Sequence, residues 1–123
     1  MRMKLLATTI LALGMMVGVL ATPAYLGTFR KTYRPPKDSA LMRANCNACH
    51  STGTQLNVYG KDVQKAMQAK KTKDLTADIL KSIEELDSDK DGVSNGNELK
   101  AGTLPGDPKS KPAQTASSEP STQ

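Results

Sequence analysis

The residues Cys46–His50, with the sequence CNACH, contain both cysteines of the 123-residue chain and its only histidine. Thiols and imidazoles are the side chains that most often bind metals and cofactors, so their placement in one short run is the most informative feature of the sequence. Three interpretations compete: a covalent haem site, a redox-active or structural disulfide, and an accidental cluster. The choice among them depends first on the compartment in which the chain folds.

Residues 1–24 have the layout of a secretory signal peptide. Two basic residues precede an uncharged apolar stretch at residues 5–21, and small residues follow it. We expect cleavage after Ala24 or Ala21, which would make the protein periplasmic or secreted. The alternative is an uncleaved membrane anchor, because about seventeen apolar residues lie near the lower limit for spanning a bilayer. Both outcomes place the rest of the chain outside the cytoplasm.

The size and composition of the chain predict a small domain that needs help to stay folded. Removal of residues 1–24 would leave 99 of the 123 residues, enough for one small domain. The chain has one Phe, three Tyr and no Trp, so a large apolar core is not expected. Domains of this kind depend on disulfides, metals or a cofactor.

The pattern of apolar residues predicts a mostly α-helical fold. Residues 25–37 form a basic arm that ends in two prolines, which disfavour a helix. A first helix is expected from Asp38 or Ser39 through the CNACH run, and a second over residues 60–71. No strand-like alternation is present. A third helix is predicted from the apolar stripe formed by Leu75, Ile79, Ile83 and Leu86.

The C-terminal part of the chain has a different composition. Beyond Gly102 the sequence is rich in Pro, Ser, Lys and Gln and almost free of large apolar residues. Residues 105–123 are therefore predicted to be disordered, because they cannot bury enough surface to offset the entropy of ordering. The folded domain is expected to occupy residues 38–104.

The C-x-x-C-H spacing of Cys46, Cys49 and His50 is the attachment signature of a c-type haem. On a helix, residues spaced by three and four share a face, so all three side chains could reach one porphyrin. The two sulfurs would form thioethers with the haem vinyl groups, and the imidazole would bind iron.

The alternatives to a haem site have weaker support in the sequence. A redox-active C-x-x-C disulfide of the thioredoxin type lies beside a βαβ pattern, and no strand is predicted here. A structural disulfide remains open. An accidental cluster of this order and spacing is expected about once in ten thousand by composition alone.

The CNACH run and the stretch after it resemble a small secreted bacterial monohaem c-type cytochrome. The similarity covers about residues 38–104 and includes an LN-x-(aromatic)-G-K-D run at residues 56–62. The resemblance implies that one haem c is attached outside the cytoplasm, in keeping with the predicted signal peptide. It also implies that the protein transfers electrons.

Met67 is the candidate for the sixth iron ligand. A second histidine is absent from the sequence, and methionine thioether is the common alternative. After cleavage only Met42 and Met67 remain, and Met42 lies too close to Cys46 on the predicted first helix to reach the opposite haem face. Packing of Met67 in the core is an equally supported alternative. An open or water-bound sixth position is a third.

Residues 87–98, DSDKDGVSNGNE, match the twelve-residue calcium-loop pattern D-x-[DN]-x-[DN]-G-x₅-E. Ca²⁺ takes six to eight oxygen ligands, and Gly92 falls where such a loop turns sharply. The predicted ligands are the side chains of Asp87, Asp89, Asp91, Asn95 (often through water) and Glu98, and the backbone carbonyl of Val93. The alternative is a solvated acidic turn.

The sequence after this loop bears on the kind of calcium site. The exiting helix is only a turn or so long, so a two-helix EF-hand that opens as a sensor is not expected. The stretch from Asp87 to Pro108 resembles the bacterial thrombospondin-type calcium repeats, which implies a structural Ca²⁺.

These features together predict an exported haem protein that transfers single electrons and is not an enzyme. Redox proteins are the expected partners, acidic ones included because the arm is basic. Nucleic acid is not expected, and a membrane only if the N-terminal segment stays uncleaved. Two alternatives are a haem-based ligand binder or sensor with an open iron site, and a calcium-stabilised interaction module with a plain disulfide.

Overall fold

The computed structural model describes residues 23–112. Helices make up about half of these residues, and a small two-stranded sheet completes the regular structure described. Within this range no helix is both long and apolar enough to cross a bilayer. The elements in chain order are α1 (Pro23–Tyr33), α2 (Ala40–Ala44), a 3₁₀ turn (Asn45–Ala48), β1 (His50–Thr52), β2 (Gln55–Leu56), α3 (Val58–Ala69), α4 (Ala77–Ser82) and α5 (Asn95–Ala101).

Helix α1 occupies most of the segment predicted to be a helix-free basic arm, so that prediction is wrong. Phe29 is only 4% exposed, and its ring centroid lies 5.3 Å from that of Tyr33 and 6.4 Å from that of Tyr59. Tyr25, Phe29 and Tyr33 recur every four residues, which is the spacing of a helical apolar stripe. The two prolines follow the end of the helix and therefore do not interrupt it.

The predicted first helix is much shorter than expected. Ser39 is confirmed as its N-cap, because the hydroxyl accepts a hydrogen bond from the N–H three residues later at 3.1 Å. Asn45 has a positive φ of 51°, which ends α2 and starts the 3₁₀ turn. Cys46 and Cys49 therefore lie in and just after this turn, and His50 begins β1. The prediction of one continuous α-helix through all three residues is wrong.

The predicted third helix is also shorter than its apolar stripe. Helix α4 ends at Ser82, so the last residues of the stripe follow it in turns. Leu86 is 46% exposed, but its carbonyl accepts a hydrogen bond from the N–H of Asn95 at 2.7 Å. Leu86 thus anchors the acidic loop by its backbone instead of filling the core. The buried core consists of Phe29, Leu41, Ala48, Tyr59, Val63, Leu75, Ile79, Leu80, Ile83 and Leu99.

Two other segments are more regular than the sequence predicts. Strands β1 and β2 form an antiparallel hairpin in which His50 pairs with Leu56, too short for any alternation to be visible in the sequence. Pro105 is fully buried, and the N–H of Leu104 donates to the hydroxyl of Ser110 at 3.0 Å. The predicted disordered tail therefore begins too early. Residues 1–22, with most of the predicted signal peptide, and residues 113–123 lie outside the described range.

Candidate functional site

The CNACH run is held in place by the start of α3. The backbone N–H of Asn57 donates to the carbonyl of Cys49 at 2.9 Å. The Asn57 side-chain amide donates to the carbonyls of Asn47 at 3.3 Å and Ala48 at 3.1 Å, while its oxygen accepts from the N–H of Gly60 at 2.9 Å. One asparagine thus caps α3 and fixes the turn that carries the cysteines.

Two glycines allow the backbone to pack closely around this turn. A β-carbon at Gly60 would overlap the carbonyl oxygen of Cys49 and lie 3.0 Å from its carbonyl carbon. A β-carbon at Gly106 would lie 2.7 Å from the side-chain amide of Asn57. Gly60 therefore requires glycine for steric reasons, whereas a β-carbon at Gly106 would displace the hydrogen-bonded Asn57 side chain. Asn57 and Gly60 belong to the LN-x-(aromatic)-G-K-D run. In this run the asparagine caps α3 and the glycine allows α3 to pack against Cys49.

A cavity of about 490 Å³ lies beside the CNACH run. This volume falls within the range of about 300–1,000 Å³ that is typical of ligand and cofactor pockets. Four side chains predicted for a haem site all line it, namely Cys46, Cys49, His50 and Met67. Its apolar wall includes Leu26 and Phe29 from α1, Leu56 from β2, Val63 from α3 and Leu75.

The two thiols of the run differ in exposure. Both cysteines are free, and Cys46 is exposed while Cys49 is partly buried. Burial, and secondly the nearby Cys46, raises the pKa of the Cys49 thiol to about 12. The Cys49 thiol is therefore protonated at neutral pH and is a poor nucleophile.

His50 leaves a ring nitrogen without a partner. Its Nδ1 atom is buried and makes no hydrogen bond to any other described residue. A buried polar atom without a partner costs stability, so water or a bound group is expected to supply one. Imidazole is a frequent iron ligand, and the two thiols lie on the same cavity. The residues present thus fit a covalently attached haem.

Met67 lies on α3, whereas His50 lies on β1, so the two side chains enter the cavity from different elements. Met67 is partly buried and also packs against the core cluster. Its position is compatible with both alternatives that the sequence leaves open, iron ligation and packing.

The acidic loop brings three carboxylates together. Oxygen atoms of Asp87, Asp89 and Asp91 all lie within 4.8 Å of one another. The N–H groups of Asp91 and Gly92 donate to Asp87 at 3.2 and 2.8 Å, and Gly92 has a positive φ of 92°. These bonds wrap the backbone around Asp87. Desolvation alone would raise the pKa of Asp87, but the hydrogen bonds that it accepts outweigh this effect and lower it.

Glu98 is the most unusual residue of this loop. It is 0% exposed, and neither of its carboxylate oxygens has a hydrogen-bond partner among the described residues. Burial, followed by the charges of Asp89, Asp91 and Asp87, raises its pKa to about 8. Burial and Asp91 likewise raise the pKa of Asp89 to about 6. Unpaired carboxylates are costly to bury, so the arrangement favours a cation among them.

The two remaining predicted ligands have different positions. The N–H of Val93 donates to Asp91 at 2.9 Å, so Val93 lies beside a predicted ligand, and calcium binding by its carbonyl stays a prediction. The Asn95 amide donates to the carbonyl of Ile83 at 3.0 Å and to the hydroxyl of Ser88 at 2.8 Å, and accepts from the N–H of Ser88 at 3.1 Å. These hydrogen bonds hold the Asn95 side chain between Ile83 and Ser88, and its role as a calcium ligand, directly or through water, stays a prediction.

Comparison with known proteins finds no significant match among family models, curated proteins or solved structures. A proposal for the function therefore depends on the chemistry of the cavity and of the acidic loop.

Proposed function

We propose that the protein transfers single electrons through one covalently bound haem c, and that a structural Ca²⁺ occupies the acidic loop. The observation that supports this most is the convergence of Cys46, Cys49, His50 and Met67 on one largely apolar cavity. A haem of this kind supplies one-electron exchange at its iron. In this proposal the protein is a small, mostly helical, haem-organised domain that is exported to the periplasm or secreted.

The residues of the chain have distinct tasks in this proposal. Cys46 and Cys49 anchor the group, and His50 binds its iron. Leu26, Phe29 and the other apolar residues of the wall exclude water, which disfavours extra charge on the iron and so favours its reduced state. Cys46 is exposed, so a redox partner would approach the protein surface beside it.

Basic side chains near the cavity support an acidic redox protein as partner. Lys73 lines the cavity, and Lys70 and Lys71 precede it on the same exposed segment. Arg30 of α1 donates a hydrogen bond to Asn45, next to Cys46. Positive charge near the cavity would speed association with an acidic partner, most strongly at low salt.

The acidic loop supports a structural cation because the three aspartates place carboxylate oxygens within 4.8 Å of one another. The buried carboxyl of Glu98 is near enough for their charges to raise its pKa. Extracellular calcium modules bind at about 0.1–1 mM, and an exported protein meets calcium at such concentrations. The role is structural in this proposal, because α5 begins inside the loop at Asn95 and has only seven residues.

The covalent attachment is tested with a Cys46→Ser/Cys49→Ser variant expressed in a haem-maturing host. We expect the wild type to keep its haem absorbance after acid–acetone extraction, because two thioethers hold the porphyrin. The double variant should lose it completely. Asn47→Ser is the matched control, since it places a serine between the cysteines and leaves both thiols intact. An extractable haem in the wild type would contradict the covalent site.

Iron ligation by Met67 has its own expected result. If Met67 binds iron, Met67→Ala abolishes the methionine-to-iron charge-transfer band and lowers the reduction potential, since a thioether favours ferrous iron. Met42→Ala is the control, because Met42 does not line the cavity. An unchanged band and potential in Met67→Ala would assign Met67 to packing. Carbon monoxide binding by the ferrous wild type would then favour the ligand-binder alternative.

The raised pKa of Glu98 predicts a pH dependence of calcium binding. Near pH 7 the metal-free carboxyl holds a proton, because its pKa is about 8. Calcium binding must release that proton, so affinity should rise with pH until about pH 8 and then level off. Calorimetry in buffers of different ionisation enthalpy should find about one proton released per calcium near pH 7. Release of no proton at this pH would contradict the burial of Glu98 as a neutral acid.

The raised pKa of Glu98 also predicts how the stability of the calcium-free protein depends on pH, and this trend is opposite to that of calcium affinity. An ordinary glutamate has a pKa of 4.5, so between about pH 5 and pH 8 the folded state binds more protons than the unfolded state. The free energy of unfolding without calcium should therefore fall as pH rises through this range. Denaturant titrations at pH 5.5 and pH 8 in the presence of chelator measure it. A rise of stability with pH would contradict the assignment.

A further inference from the structure

We infer that cation binding at the acidic loop sets the position of the cavity wall formed by α3, and that Ser88 transmits this effect. The inference rests on the proposed function for its consequence at the haem. Its physical basis is a chain of hydrogen bonds from the loop to α3.

Ser88 is the residue that joins the two regions. It lies between Asp87 and Asp89, two of the predicted ligands, and its hydroxyl donates to the carboxylate of Asp62 on α3 at 2.8 Å. The same hydroxyl accepts a hydrogen bond from the Asn95 side-chain amide at 2.8 Å. A donor from α5, a hydroxyl of the loop and a carboxylate of α3 thus form one directed chain, and its terminal bond is charge-assisted and correspondingly strong.

Helix α3 has the acidic loop on one side and the cavity on the other. Asp62 contacts the loop, whereas the next residue, Val63, lines the cavity together with Met67 one turn later. Gly60 on the same helix packs against the carbonyl of Cys49. A displacement of α3 toward or away from the loop would therefore also move the apolar wall of the cavity and the turn that carries the cysteines.

Cation binding would move or fix Ser88 for an electrostatic reason. Without a cation, the clustered carboxylates on both sides of Ser88 repel one another, so the loop loses order. A bound cation draws them together and fixes the Ser88 backbone between two ligands. The hydrogen bond to Asp62 then has a fixed donor, and α3 gains order from it.

A second contact links the two regions near the C-terminus. Lys111 donates to the carbonyl of Asp91 in the loop at 3.1 Å. Gly106 in the same segment packs against Asn57, which holds the cysteine turn. This contact runs parallel to the Ser88 link and acts on α3 at its first turn. Because of this second contact, a substitution at Ser88 should remove most but not all of the coupling between the acidic loop and α3.

The test compares hydrogen exchange of the α3 amides in the full, haem-loaded chain with saturating calcium and with chelator. We expect calcium to slow exchange in residues 58–69 of the wild type about tenfold, since a hydrogen bond to a charged group is worth that much or more. Ser88→Ala keeps every predicted calcium ligand but should lose most of this effect. Asp62→Ala should lose it too, from the α3 side. Ser82→Ala is the control, because its hydroxyl bonds only to the carbonyl of Ile79 within α4.

The outcomes separate this inference from the proposed function. The inference is overturned if calcium leaves α3 exchange unchanged in the wild type, or if both Ser88→Ala and Asp62→Ala keep the full effect. Rescue by Ser88→Thr, which restores a hydroxyl, would support it. Haem content is read on the same samples from mass and spectrum. A chain without haem would refute the proposed function, while the exchange data would still decide the coupling.

Discussion

Gly60→Ala is expected to lower the free energy of unfolding by about 3 kcal/mol or more, at the upper end of the range for overpacking. The added β-carbon would overlap the carbonyl oxygen of Cys49, and this neighbour is backbone, which cannot rotate away as a side chain can. Helix α3 would have to move, and the hydrogen bond from Asn57 to Cys49 would be strained or lost. Denaturant unfolding monitored by circular dichroism measures the change, and haem attachment should fall with it.

Gly27→Ala is the matched control for this substitution. Gly27 lies inside α1, and a β-carbon there would meet nothing within 4 Å. Alanine is favoured over glycine in helices by about 0.8–1 kcal/mol, so this variant should be slightly more stable than the wild type. If Gly60→Ala were as stable as Gly27→Ala, the close packing of α3 on the cysteine turn would be refuted.

Glu98→Gln should abolish stabilisation by calcium. The wild type is expected to gain about 2.7 kcal/mol when free calcium is a hundredfold above its dissociation constant, because only the folded state forms the site. The variant loses the bidentate charge at the twelfth loop position, so its melting temperature should not respond to the metal. In chelator at pH 8 it should be at least as stable as the wild type, because the buried side chain then carries no charge to desolvate.

The control for Glu98→Gln is Glu85→Gln, which makes the same chemical change at an exposed position just before the loop. Glu85→Gln should keep the full calcium response. A wild type that melts at the same temperature with calcium and with chelator would remove the cation from the account. Residues 87–98 would then be an acidic turn without a ligand.

Features that depend on short spacing along the chain were predictable from the sequence. Cys46, Cys49 and His50 are neighbours in sequence, and they share one cavity even though the expected helix is replaced by a 3₁₀ turn and a strand. The three aspartates of the loop approach one another for the same reason. Local spacing restricts such residues to a small volume whatever the exact backbone.

Features that depend on long-range contacts were not predictable in this way. Residues 25–37 are rich in charge, so the apolar stripe of α1 was not recognised in the sequence. This stripe packs against Tyr59 of α3, which is distant along the chain. The positive φ of Asn45 has no sequence signal as clear as a glycine would give. Ser88 and Asp62 are 26 residues apart, so nothing in the loop pattern indicated that they share a hydrogen bond.

The intact mass of the protein from a haem-maturing host decides whether haem is covalently attached. It needs no assumption about spectrum, iron ligand or partner, and it also shows whether and where the N-terminal segment is cleaved. We expect the mass of the polypeptide plus one haem. A mass lower than that of the polypeptide by two hydrogens, as a disulfide between Cys46 and Cys49 would give, would contradict it.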